Sequence, residues 1–197
     1  QMCIRDRLLK FLTFHDLEQF VDFIDLTSQR SYELAIEAVG SAHKVFSLLS
    51  DTRSDYISLE ILILEKNWRE LKGFIELSGK SIKRIDVGQR LLFLDTVKNL
   101  VLNGTPNISN VMDEMSKSLD LIDNKHHGRI LQLLKAIIAV SYQSAPAFIN
   151  ICPQLLLRMD LNQMEKLFNE CMKVFKENRD DGHAFLKQKS RHAQQLL

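Results

Sequence analysis

Cys152 and Cys171, together with the adjacent pair His126 and His127, are the residues whose types most readily suggest chemistry in this 197-residue chain. A nucleophilic or redox thiol needs its pKa lowered by a cation, a helix N-terminus or a partner histidine. No such partner can be assigned to either cysteine, and both fit apolar positions of a helix. Neighbouring residues on a helix diverge by about 100°, so His126 and His127 point apart and do not chelate one ion together. Histidine ligands on one helical face want i, i+4 spacing, and no HExxH occurs. His15, His43, His183 and His192 are scattered. The short basic run KQKSRH (187–192) reads as a solvated helix face. Nucleic-acid binding would want a wider basic stripe or aromatics interleaved with it. GxxxxGK[ST], GxGxxG and GxSxG are missing, so no nucleotide cradle or nucleophile elbow can be drawn. No catalytic, cofactor-binding or metal-ligating residue is assigned, and the expectation is a protein that is not an enzyme and carries no cofactor.

What remains is the scaffold. The chain is 45% hydrophobic and 26% charged, an ordinary globular balance, with a formal net charge of +1. That balance gives no field to gather nucleic acid or an anionic membrane. Seven glycines and three prolines are few, which favours long helices over a many-stranded sheet. Three cysteines without paired spacing give neither a disulfide framework nor a zinc motif, and a cytoplasmic location is expected. The apolar runs, such as Ile57–Leu64 and Ala136–Val140, are short against the roughly 20 residues that span a bilayer, so no membrane insertion is expected. QMCIRDR (1–7) back-translates to a string resembling the end of a transposase sequencing adapter. Residues 1–7 are therefore read as a translated artefact, and 8–197 as a fragment of a longer protein.

The scaffold has a beat of 37 residues. NWRELKGFIELSGKSIKRID (67–86) aligns without a gap on SYQSAPAFINICPQLLLRMD (141–160), an offset of twice 37. The pairing sets Trp68 against Tyr142, Phe74 against Phe148, Ile75 against Ile149, and Asp86 against Asp160. The window halfway between supplies Val111, Met112 and Asp123. Phe20, Ile57, Leu94, Leu131 and Phe168 keep the same interval, as do Leu26, Ile63, Leu100, Ile137 and Val174.

Each unit reads as two helices, the first with i, i+3, i+4, i+7 apolar spacing. Breaks between the two are expected at SQRS (28–31), NGTPN (103–107), YQSAP (142–146) and ENRDDG (177–182). Pro106 and Pro146 suit a helix's first turn, where a missing N–H loses no bond. Asp86, Asp123 and Asp160 are expected to cap the helix that follows each. Pro153 is expected to kink or end its helix before LLLRM. The fold expected is all-α, an α-solenoid-like array of two-helix units at about 12–49, 50–86, 87–123, 124–160 and 161–197, because a lone helix pair cannot bury its own apolar stripe.

AFINICPQLLLRMDLNQMEKLF (147–168), followed by ENRDDGHAFLKQKS (177–190), resembles the helical region ahead of the metal-binding domain in bacterial NorD- and CoxE-like von Willebrand type A proteins. Asn178, Gly182, Ala184, Phe185 and Ser190 match that family's late N-x-x-x-G-x-A-F stretch, with Leu186 where a second aromatic is usual. The DxSxS of a type A metal site is absent, and the resemblance places that domain beyond Leu197. It implies a role beside a MoxR-type AAA+ ATPase in maturing metalloenzymes, with that ATPase or its target as partner. The function expected is a non-catalytic module for protein–protein interaction. An unrelated HEAT- or TPR-like scaffold and an α-helical enzyme with an unrecognised site are the alternatives.

Overall fold

The computed structural model describes residues 10–156, 159–177, 184, 185 and 188. It is all-α, and no strand occurs among the described residues. The helices are α1 (Phe14–Arg30), α2 (Tyr32–Phe46), α3 (Arg53–Lys83), α4 (Arg90–Leu102), α5 (Ile108–Asp120), α6 (Asn124–Ser141), α7 (Ala145–Leu156) and α8 (Leu161–Glu177). Short 3-10 turns at Val87–Gln89 and Tyr142–Ser144 lead into α4 and α7.

The sequence writes most of these ends in side-chain chemistry. Thr13 and Asp16 form a reciprocal capping box on α1, with Thr13 Oγ1 accepting from Asp16 N–H at 3.1 Å and Asp16 Oδ2 accepting from Thr13 N–H at 3.0 Å. Asp160 and Gln163 repeat that arrangement on α8 at 2.8 and 3.0 Å. Asp123 caps α6 through Lys125 N–H at 3.1 Å. Asp86 caps the 3-10 turn ahead of α4 and not α4 itself, accepting from Gly88 N–H at 2.9 Å. The end of α4 is a Schellman motif. Gly104 takes φ +70°, Thr105 N–H reaches Leu100 C=O, and Gly104 N–H reaches Val101 C=O, both at 3.0 Å.

Single extended residues make three of the joints. Ser31 (φ −158°, ψ 115°) separates α1 from α2, Asn67 (φ −155°, ψ 70°) bends α3 into halves 53–66 and 68–83, and Ser141 (φ −154°, ψ 89°) turns α6 towards α7. The break at Asn67 was not among those expected from the sequence, because no glycine or proline marks it. Pro153 does not end its helix: α7 runs through it to Leu156, and its missing N–H leaves the Ile149 carbonyl without the usual partner. Pro106 stands just before Asn107, the N-cap of α5, and so lies outside the helix, while Pro146 is in the first turn of α7 as expected.

Packing follows chain order. α1 packs on α2 and α3, α3 on α4 and α5, α4 on α6, α5 on α7, and α6 on α7 and α8. Side-chain bonds seen between elements among the described residues keep to the same range, the widest joining Arg90 to the Leu48 carbonyl 42 residues away. Ser54 Oγ donates to Gln19 Oε1 (2.7 Å), Lys72 pairs with Glu37 (3.1 Å), Arg84 with Asp113 (2.9 Å), Lys135 with Asp95, and Arg129 with Glu165. One continuous core results. Phe20, Ile57, Leu94, Leu131 and Phe168 are all buried in it, as are Ile63, Leu100 and Ile137. Leu26, which opens the second series, is 42% exposed and departs from it.

The stretch Asn124–Leu156 is long and apolar enough to cross a membrane by length and composition, with half of its most apolar window buried in the fold. Counting only short apolar runs missed it. Ser141 breaks it into α6 and α7, whose buried faces meet α4, α5 and α8.

Candidate functional site

The residues singled out in the sequence do not converge. Cys152 and Cys171 are buried in α7 and α8, and burial alone pushes the Cys152 thiol far above its ordinary pKa, the reverse of what a nucleophile needs. Cys3 lies outside the described residues. His126 and His127 both sit in the first turn of α6, but His127 is fully buried and does not lie on a solvated turn. Its Nε2 is 2.9 Å from the Ile122 carbonyl. A carbonyl only accepts, so Nε2 donates to it, while Nδ1 is buried without a partner. The ring thus staples the 121–123 turn to α6. No group of three His, Cys, Asp or Glu able to hold a metal ion occurs among the described residues. The run 187–192 is outside them apart from Gln188, as is the expected break 178–182.

Sequence reading missed a buried polar chain in α3. Tyr56, Glu60 and Ser78 are shut from solvent, with Tyr56 Oη 2.8 Å from Ser78 Oγ, and Ser78 Oγ 3.3 Å from the Ile75 carbonyl. Ser78 donates to the carbonyl, so Tyr56 donates to Ser78. Burial pushes the Glu60 carboxyl up to about 8, opposed in part by hydrogen bonding with Tyr56. Glu60 Oε2 and, separately, Ser81 Oγ are buried without a partner. The signal was present in the beat: Glu60 occupies the slot held by Phe23, Val97, Leu134 and Cys171, all buried. Substrate cannot touch these groups, so they specify the core and form no reaction centre.

An open groove of about 990 Å³ lies between α2 and the second half of α3, with Lys10 and Phe11 also in its lining. Val45 and Ile75, 2% and 4% exposed, form its floor with Leu48 and Gly79. Lys10, Lys44, Lys80 and Lys83 stand on the rim with His43, against Glu37 and Glu76. Glu37 is already bridged by Lys72 from outside the groove. Among the described residues no salt bridge engages Lys44, Lys80 or Lys83. α2 offers these side chains because Ser31 caps it through Leu34 N–H (3.3 Å) and its inner face buries Ala35, Ala38 and Ala42, which lets it lie close to α3. A smaller cleft of about 470 Å³, with Asp55, Asp95 and Lys98 in its lining, lies between the first half of α3 and α4.

No family model, curated protein or solved structure matches the chain.

Proposed function

We propose that the chain is a non-catalytic helical repeat module that binds protein, its helix pairs stacked in sequence order as an α-solenoid-like array. The observation that carries this reading is the reach of the packing. Helices touch the members of their own pair and of the next pair along the chain, and among the described residues the side-chain bonds between elements named above span 42 residues or fewer. Recurrence at 37-residue intervals of buried Phe20, Ile57, Leu94, Leu131 and Phe168 supports it, since each marks the equivalent point of a first helix. Helix starts at Phe14, Arg53, Arg90, Asn124 and Leu161 fit units near 12–49, 50–86, 87–123, 124–160 and 161–197. Stacked helix pairs present extended surfaces to other proteins, and a recessed groove with an apolar floor is the kind of surface they use.

The narrower role, beside a MoxR-type ATPase in metalloenzyme maturation, rests on the sequence resemblance alone. Asn178, Gly182 and Ser190, which carry part of it, lie outside the described residues. The test is affinity co-purification from the native host, followed by reconstitution of a binary complex from purified components. A saturable one-to-one complex with a protein partner is the expected result. Recovery of no protein that binds in purified form contradicts the reading.

A further inference from the structure

We infer that the groove between α2 and the second half of α3 is the docking site for an acidic amphipathic helix of a partner protein. The inference rests on the protein-binding reading above and names the chemistry of its occupant. Four lysines, Lys10, Lys44, Lys80 and Lys83, border the groove, and its two carboxylates are Glu37, already held by Lys72 at 3.1 Å, and Glu76. In a chain whose formal net charge is only +1, this local excess of positive charge selects an anionic occupant. The floor of Val45, Leu48 and Ile75 asks at the same time for apolar side chains. A helix with leucine-type anchors at i, i+3, i+4 and i+7 and carboxylates along both flanks satisfies both demands.

Gly79 is a second, independent sign. Glycine inside a helix is less favourable than alanine. Packing within the chain does not require it: a Cβ at Gly79 would lie 3.6 Å from Val45 Cγ2, an ordinary contact. Gly73, six residues earlier, is different, because a Cβ there would come within 2.7 Å of Ser109 Oγ. Gly73 is glycine for the fold. Gly79 is glycine where the floor of the groove stays open.

A lipid surface is the competing anionic partner, and the floor disfavours it. Val45 and Ile75 are recessed, at 2% and 4% exposure, where a flat bilayer cannot reach them and an inserted side chain can.

The test uses the full chain and a fluorescein-labelled helical peptide of about 16 Leu, Ala and Glu residues with its leucines on one face, followed by anisotropy. Controls are the same peptide with Lys in place of Glu, a scrambled peptide of identical composition, and phosphatidylserine vesicles. The expected result is binding of the acidic amphipathic peptide at least tenfold tighter than either control peptide. Lys80→Glu/Lys83→Glu, which alters exposed side chains only, should weaken it tenfold or more, and Gly79→Leu should block it, both with unchanged far-UV circular dichroism. Equal binding of the Glu and Lys peptides, or binding that survives both variants, overturns the assignment, as does preferential binding to the vesicles. If a natural partner complex forms but is insensitive to both variants, the groove assignment alone fails. If no protein complex forms at all, the reading beneath it fails.

Discussion

Asn67 and Ser141, 74 residues apart, hold nearly the same extended backbone, φ −155° and ψ 70° against φ −154° and ψ 89°. Each is a single residue out of helical conformation at the point where one helix of a pair turns into the other. The joint is therefore a feature of how the pair packs, made without the usual helix breakers. Asn67→Ala tests this. Alanine is the best helix former, so a joint set by local propensity would straighten on substitution. If packing sets it, position 67 keeps extended-type backbone chemical shifts and stability changes by no more than about 1 kcal/mol.

Glu60 makes stability depend on pH. Its folded-state pKa, about 8, lies above the ordinary carboxyl value of 4.5, so the native state holds the proton after the unfolded chain has released it. Stability from this group is full below about pH 4.5 and falls by up to about 1.4 kcal/mol per unit as pH rises towards 8, above which the loss is complete. Denaturant melts between pH 5 and 9 should show that slope in the native chain and not in Glu60→Gln. Glu60→Leu, which restores the apolar residue type of its series, should stabilise the protein by about 1–3 kcal/mol at pH 8. A flat pH profile in the native chain contradicts the buried, protonated carboxyl.

Phe148 and Phe168 join α7 to α8 edge to face, with ring centroids 4.3 Å apart and an interplanar angle of 76°. Both are fully buried. Phe148→Ala should cost about 3–5 kcal/mol, and Phe168→Ala a similar amount. The double variant should cost less than the sum by about 0.5–1.5 kcal/mol, the coupling of an aromatic pair. A loss below about 1 kcal/mol for Phe148→Ala in a denaturant melt would contradict its place in the core.

Asp160 caps α8 reciprocally with Gln163, so Asp160→Ala should cost about 1 kcal/mol, with faster amide exchange confined to the first turn of α8. Asp160→Asn, which keeps an acceptor oxygen, should recover most of it.

The all-helical class was legible in the scarcity of glycine and proline, and apolar residues picked out at 37-residue intervals, such as Ile57, Leu94 and Leu131, are buried. Asp123 and Asp160 were legible because a helix N-terminus needs an acceptor. Other features were not, each for a local reason. Pro153 fails to end α7 because tertiary packing of Ile151, Cys152 and Leu155 outweighs one lost hydrogen bond. His127 reads as polar until the Ile122 carbonyl is seen to satisfy it. The groove escaped because Lys10, Lys44, Lys80 and Lys83 span 73 residues of sequence and meet only when α2 lies beside α3.

The most direct test of the stacked arrangement is a set of spin-label distances on the second helices of successive pairs. Labels go at Lys44, Lys80, Lys117 and Asn150 in a Cys3→Ser background, where burial shields Cys152 and Cys171 from labelling. Neighbouring helix axes lie about 8–10 Å apart, so stacking in sequence order predicts separations from position 44 that grow stepwise, to about 20 Å at 117 and about 30 Å at 150. A 44–150 distance shorter than the 44–117 distance would mean a closed bundle and would contradict the array.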